Sequence, residues 1–378
     1  MYCNFLLYFM KYVIIKDMDK QISAVELGRV SVEDLYAQLT DVSPKIVTMF
    51  TPSNRAEQEK KFLSGEVRNP QFVYEKLDAA DFGEAIESIQ QLDDSILNHP
   101  DLPADQQRIY QEFIETYQKQ TELLSCAQAY QTAESEADKQ DIAKAYKQLS
   151  REIYGTPNEK TYRSLLGDVL QQIADKDLSG AADNLRQELF RMVNFDASYH
   201  SPERFRPSAD TIDWMNTVAR SLYGGMLAHV PEDQPEFNPR EVQTIFTDII
   251  AQEFGDAAIG WSVSIEKATS VCVKSSEKKI VIPDNDMNRS QKKVEELVVH
   301  ELGVHMLRAI TGGETDTLPL ANGLGGYYDA EEGLGVVMEQ ALRGKFIERG
   351  VDHYITAGLA YYDGKDFREA FEAKWRLS

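Results

Sequence analysis

His300-Glu301-Leu302-Gly303-Val304-His305 interrupts an otherwise apolar helical run with three groups that cannot be buried alone. The run carries Val294, Leu297, Val298, Val299, Leu302, Val304, Leu307 and Ile310, so a helix through it packs inside a core. A buried helix that keeps two histidines and a glutamate must supply partners for them. Only six histidines occur in the chain, and two of them flank this glutamate. A second acidic cluster, Asp329-Ala330-Glu331-Glu332, follows, its glutamates 26 and 27 residues after His305. It heads another apolar-faced stretch with Leu334, Val337, Met338, Ala341 and Leu342. Two imidazoles and a carboxylate suit a catalytic zinc site, which uses three protein ligands and leaves a fourth position for water. Manganese or iron accepts similar donors. Glu301 is placed to take that water's proton as general base.

The spacing is unusual. Histidines four residues apart stand about 40° from one another around a helix, so both rings face one ion. His300 and His305 are five apart, roughly 140° on an ideal α-helix. The pair therefore predicts one absorbed residue, a π-bulge, and π-bulges favour functional sites. Gly303 lies inside the pair, where the backbone is least constrained. Two histidines that merely happen to lie on a buried α-helix are the bland alternative.

The segment His300–Arg308, followed by Glu331-Glu332-Gly333-Leu334-Gly335, resembles the HExxxHxxR…EGLA pattern. That pattern belongs to a family of zinc peptidases whose animal members include the microtubule-associated tyrosine carboxypeptidases. The similarity extends upstream through Asn69-Pro70-Gln71-Phe72-Val73-Tyr74 and Tyr154-Gly155-Thr156-Pro157-Asn158, and we take it to cover about residues 40 to 370. Gly335 stands where the family usually has Ala, and Gly312–Leu320 matches the usual connection only loosely. Family members are expected to run on past the last motif, whereas this chain stops at Ser378. The resemblance implies a zincin-like catalytic region, a zinc cofactor and release of C-terminal residues from a peptide or protein substrate.

His300 and His305 are the expected zinc ligands and Glu301 the general base. The acidic cluster offers two third ligands. Periodicity sets Glu331 nearer the Leu334/Met338 stripe, and Asp329 with Glu332 also fits a capping box, as N-cap and N3. The resemblance selects Glu332: the family's Glu precedes Gly-Leu, and the segment is similar to the Asn-Glu-Gly-Phe-Ala helix of aminopeptidases, whose Glu ligates zinc. Glu331 would then orient a ligand. Arg308, three residues past His305, either pairs with such a carboxylate or clamps a substrate's terminal carboxylate. Tyr327, Tyr328, His353 and Tyr354 are candidate donors to an oxyanion, although such residues near a cleft more often pack.

The rest of the chain predicts an α+β fold, mainly helical, with a small sheet preceding the zincin-like active-site helix. Residues 1–17 are expected to be an erroneously assigned extension, with Met18 as the start: the apolar run lacks a basic flank and a cleavage site. It is also too short to span a bilayer. A tail touching a membrane is the lesser reading. Residues 18–195 form a helical region, with a capped helix from Ser31 and periods over Phe82–Ile96, Gln106–Gln131, Glu136–Tyr154 and Lys160–Val193, the last broken near Asp177–Gly180. His99 falls in the Asn98–Pro103 turn as a plain loop residue. Residues 196–378 form the catalytic region. In it 196–240 reads as loop-rich, Asn238-Pro239 opens a helix, and Trp261/Val263/Ile265, Val271/Val273 and Ile280/Ile282 alternate as strands. Asn288 or Ser290 caps the metal helix and Gly312-Gly313 ends it.

With 62 acidic against 40 basic residues, the net charge of −22 excludes a nucleic-acid partner. Three scattered cysteines give no disulfide framework, which points to the cytoplasm. The histidine–glutamate pairs stand at i, i+4, whereas a di-iron bundle wants Glu-x-x-His. The rival to a peptidase is a zinc-binding but catalytically inactive interaction protein with an incomplete substrate pocket. A metal-free helical binding protein comes third.

Overall fold

Short polar residues ahead of apolar periods start the helices. A computed structural model of the protein describes residues 31–75, 80–193, 207–285, 287–324 and 326–377, so the extension expected at 1–17 lies outside them. Ser31 Oγ accepts from the Asp34 amide at 3.0 Å and opens the helix Val32–Met49. The helical periods appear as Ala80–Leu97, Ala104–Thr132 and Glu136–Tyr154. The fourth splits into Glu159–Ala174 and Ala181–Val193, as the break near Gly180 predicted. The chain is α+β, mainly helical, with a small sheet.

Two expectations fail. The stretch read as loop-rich over 196–240 contains a 19-residue helix, Ala209–Leu227. Its flanking prolines, Pro207 and Pro231, lie outside it, and Ser208 caps it by accepting from the Thr211 amide. The prolines mark the helix's ends, whereas the sequence reading spread them over the whole stretch. His99 does sit in its turn, but it is buried, and its Nδ1 accepts from the Asp101 amide at 3.3 Å.

The chain divides into two units, each assembled from separate stretches of sequence. The larger takes the described residues within Met1–Met49, Ala79–Leu149 and Pro207–Phe346. In it the helices Val32–Met49, Ala80–Leu97 and Ala104–Thr132 pack together around Leu35, Ile89 and Phe113. Its sheet has the order β2-β4-β3, from Ser262–Glu266, Lys279–Pro283 and Cys272–Lys274. β2 and β4 are parallel, with Val263 opposite Ile280; β3 and β4 are antiparallel, with Cys272 opposite Val281. The central strand buries Ile280, Val281 and Ile282, as a strand covered on both faces should. Against it packs the helix Pro239–Ile249, opened by a capping box between Asn238 and Glu241. A two-residue pairing of β1 (Glu236–Phe237) with β5 (Arg289–Ser290) then delivers the chain to the helix that carries His300 and His305.

That helix starts at Gln291, with Ser290 Oγ accepting from the Lys293 amide at 3.3 Å. It runs as Gln291–Leu297, Val298–Met306 and Leu307–Gly313. The middle segment is π-helical over nine residues, more than the single bulge expected from the histidine spacing. One side buries Val294, Val298, Leu302, Met306 and Ile310 against β4 and the Pro239–Ile249 helix. Another buries Val299 with Ala219, Tyr223, Ala341 and Leu342 of the flanking helices.

The smaller unit takes the described residues within Phe50–Asp78, Ser150–Arg206 and Ile347–Ser378. Its core gathers Tyr162, Leu166, Leu170, Leu189, Ile355 and Leu359. Both upstream stretches quoted for the resemblance act structurally here. Asn158 caps the helix Glu159–Ala174, and its own amide donates to Tyr354 Oη at 2.7 Å. Asn69 Oδ1 accepts from the Phe367 amide at 3.0 Å. Among the described residues no helix is long and apolar enough to cross a membrane.

Candidate metal centre

An α-helical path would point His300 and His305 apart, and the π-helical winding brings them together. Their ring centroids stand 4.8 Å apart. Gly303 lies between them, and its role is space. A Cβ there would come within 2.4 Å of the Tyr223 ring, so the missing side chain lets the Ala209–Leu227 helix press its tyrosine onto the π-helix.

The opposing wall is the helix Tyr327–Arg343. It begins at Tyr327 with Gly326 as N-cap, three residues earlier than a capping box at Asp329 would require. Glu332 is therefore not an N3 residue. Its side chain is 55 % exposed and faces both histidines: Oε2 lies 3.4 Å from His300 Nε2, and Oε1 lies 3.4 Å from His305 Nε2. Glu331 turns inward, its side chain only 6 % exposed, and Oε1 lies 2.9 Å from His305 Nδ1. The buried face of this helix is thus Glu331, Gly335 and Glu339, while Leu334, assigned to the apolar stripe from sequence, is exposed.

Glu339 was missed by the sequence reading. Its Oε1 accepts from His300 Nδ1 at 2.8 Å. The available signal was periodicity: Glu339 lies two helical turns beyond Glu331 and Glu332, an acid within the stripe Met338, Ala341, Leu342. Each imidazole thus has a carboxylate at Nδ1. An ionised carboxylate only accepts, so the ring proton sits on Nδ1 and the Nε2 lone pairs point toward Glu332. Gly335 admits this arrangement. A Cβ on it would stand 2.7 Å from His300 Cε1, so the ring rests on bare backbone at the position where the family pattern has Ala.

The electrostatics follow from burial among acids. Burial pushes the Glu301 carboxyl up to about 7; the two imidazoles oppose this, and Glu332 and Glu339 add to it. Burial works against a charged His300 ring, but the Glu339 hydrogen bond and the surrounding carboxylates outweigh it and raise its pKa. Burial would also raise Glu331, yet the hydrogen bond from His305 and the Arg308 charge hold it below the usual range.

Arg308 is committed within the fold. Nε donates to Glu331 Oε1 at 3.0 Å, Nη1 to the carbonyls of Leu320 and Ala321, and Nη2 to Ser275 Oγ at 3.3 Å. The guanidinium also lies 5.2 Å from the centroid of the Tyr327 ring. Tyr327 and Tyr328 line the same cleft, of about 810 Å³, with His300, Glu301, His305 and Glu332. His353 and Tyr354 belong to the smaller unit. There the His353 ring is exposed and meets Lys374 Nζ at 2.7 Å, and Tyr354 is engaged with Asn158.

One donor atom each from His300, His305 and Glu332 can be chosen so that all three lie within 4.8 Å of one another. Two donors each about 2.1 Å from one zinc at a tetrahedral angle stand about 3.4 Å apart, which is the separation of each Nε2 from Glu332. The donor types, spacing and carboxylates behind the rings all fit zinc. Replacing Glu339 with Gln keeps the shape and removes the charge behind His300. Zinc affinity is expected to fall about 10- to 100-fold in competition with a chelator. Unchanged affinity would reduce Glu339 to a packing residue.

The family model of the microtubule-associated tyrosine carboxypeptidases matches residues 210–374, a stretch that holds every residue of this centre. The resemblance carried by the motif is therefore borne out over that stretch. No curated protein and no solved structure matches the chain.

Proposed function

From the match of residues 210–374 to that carboxypeptidase family, we propose that the chain is a zinc-dependent metallopeptidase, acting as a carboxypeptidase on a peptide or protein. The observation that supports this most is the seating of the two imidazoles: Nδ1 atoms on Glu339 and Glu331, Nε2 atoms both 3.4 Å from Glu332. His300, His305 and Glu332 would hold the metal. Bound there, zinc supplies Lewis acidity, polarising the scissile carbonyl and making a water acidic at neutral pH.

The remaining chemistry falls to the chain's own groups. Glu339 and Glu331 orient the imidazoles and hold their Nδ1 protons. Glu301 lines the cleft, and burial leaves its carboxyl able to gain and lose a proton near neutrality. It takes a proton from the attacking water and delivers it to the leaving amine. Arg308 pins Glu331 to the Leu318–Ala321 turn and so steadies the acid behind His305. We assign it to the reducing cytoplasm from the scattered cysteines of the sequence.

The test is a mass-spectrometric screen of zinc-loaded protein against paired peptides with free and amidated C-termini. Loss of single C-terminal residues from the free acids alone is expected. Equal cleavage of both members would remove the carboxypeptidase label and keep the peptidase. Zinc-loaded protein that cleaves nothing over a broad panel would favour the inactive zinc-binding protein.

A further inference from the structure

A carboxypeptidase must recognise a free carboxylate, and Arg308, the cation singled out for that task from sequence, is spent on Glu331 and two carbonyls. Three other cations line the cleft: Lys274, Arg289 and Lys293. Lys274 reaches Glu277 at 3.4 Å and Glu266 at 3.9 Å, and Lys293 reaches Glu296 at 3.3 Å. Arg289 differs. Its only hydrogen bond among the described residues runs from Nη1 to the Met287 carbonyl at 3.2 Å, and no carboxylate among them pairs with it. We propose, on the peptidase reading above, that Arg289 binds the terminal carboxylate of the substrate.

Placement and chemistry both support this. Arg289 opposes Phe237 in the β1–β5 pairing, and the next residue, Ser290, caps the metal helix. Its backbone is therefore tied to the element that carries His300, Glu301 and His305. The side chain is half-buried, and burial holds its pKa below the usual arginine value, with no acid among the described residues to offset the loss of water. A guanidinium kept partly dry without a counter-charge is costly, and an arriving carboxylate relieves that cost. Nε and Nη2 remain as a fork of donors, and a fork of this kind takes a carboxylate bidentately. Lysine at the position would offer only a point charge.

The test reads binding without turnover. N-acetylphenylalanine and its amide are titrated by NMR into zinc-loaded wild type, Arg289→Gln and Arg289→Lys. Wild type should bind the acid at least ~10-fold more tightly than the amide, the strength of a charge-assisted hydrogen bond. Arg289→Gln should bind the two equally, and Arg289→Lys should keep part of the preference. A preference for the acid that survives in Arg289→Gln overturns the proposal, and so does a wild type that does not distinguish acid from amide. Should Arg289→Gln fail to fold, Arg289→Lys decides: undiminished preference in it overturns the bidentate assignment. Peptide cleavage is followed in parallel on wild type. Absent cleavage with an Arg289-dependent acid preference would remove the peptidase and keep the site. Cleavage of free acids with an acid preference independent of Arg289 would do the reverse.

Discussion

Glu301→Gln is expected to lower peptide turnover about 10²- to 10⁴-fold while leaving zinc content unchanged. Gln has the same shape but cannot accept and return a proton. Glu301 is 7 % exposed and is buried beside Val298, Leu302 and Val304. A neutral amide there carries no ionisation cost, whereas the carboxyl is pushed up to about 7 by burial. The fold should therefore tolerate the change, and a loss of activity reports on proton transfer. Turnover and zinc content are measured on the same preparation. Activity surviving in Glu301→Gln would mean that another group is the base.

The second expectation concerns the metal. Wild type should purify with about one zinc per chain, and His300→Ala and His305→Ala should each lose it, because a site of three protein ligands has none to spare. Each variant also takes a hydrogen-bond donor from a buried acid. Removing the His300 ring leaves Glu339, 5 % exposed at its side chain, without the proton it accepts. Removing His305 takes one of the two donors to Glu331 among the described residues, where its Oε2 is already buried without a partner. Such losses cost about 1–3 kcal/mol or more. Thermal unfolding with and without zinc separates this cost from the loss of metal-linked stability, which wild type alone should show. Full zinc retention in both variants would end the assignment.

The strands and helix starts were legible because local rules govern them. Ser31, Asn158, Ser208 and Ser290 each accept from an amide three residues on, a signal readable in one turn of sequence. The Ala209–Leu227 helix went unread although Ser208 announced it, because prolines on both sides were given to the whole stretch. Which acid does what was less legible. Glu331 and Glu332 are adjacent, so about 100° of helix rotation alone sends one behind His305 and the other in front of both rings. That choice depends on where the helix begins, and the N-cap Gly326 lies three residues ahead of the expected cap Asp329. Glu339 and Arg289 reach the cleft through tertiary packing, which single-sequence periodicity does not encode.

The winding of the helix that carries His300 and His305 also left a second trace in the sequence. Val294, Val298, Leu302, Met306 and Ile310 recur at intervals of four and share one core. On an α-helix each such step overshoots a full turn by about 40°, so four steps would carry Ile310 about 160° away from Val294, nearly to the opposite side. The wider π turn takes that drift back, much as a leap day returns a calendar to its season. The π-helical winding over Val298–Met306 thus serves two purposes: it aligns the histidines, and it keeps the helix in phase with its core. A deletion between His300 and His305 would restore the four-residue spacing but advance the whole Leu307–Gly313 segment out of register with the sheet beneath it.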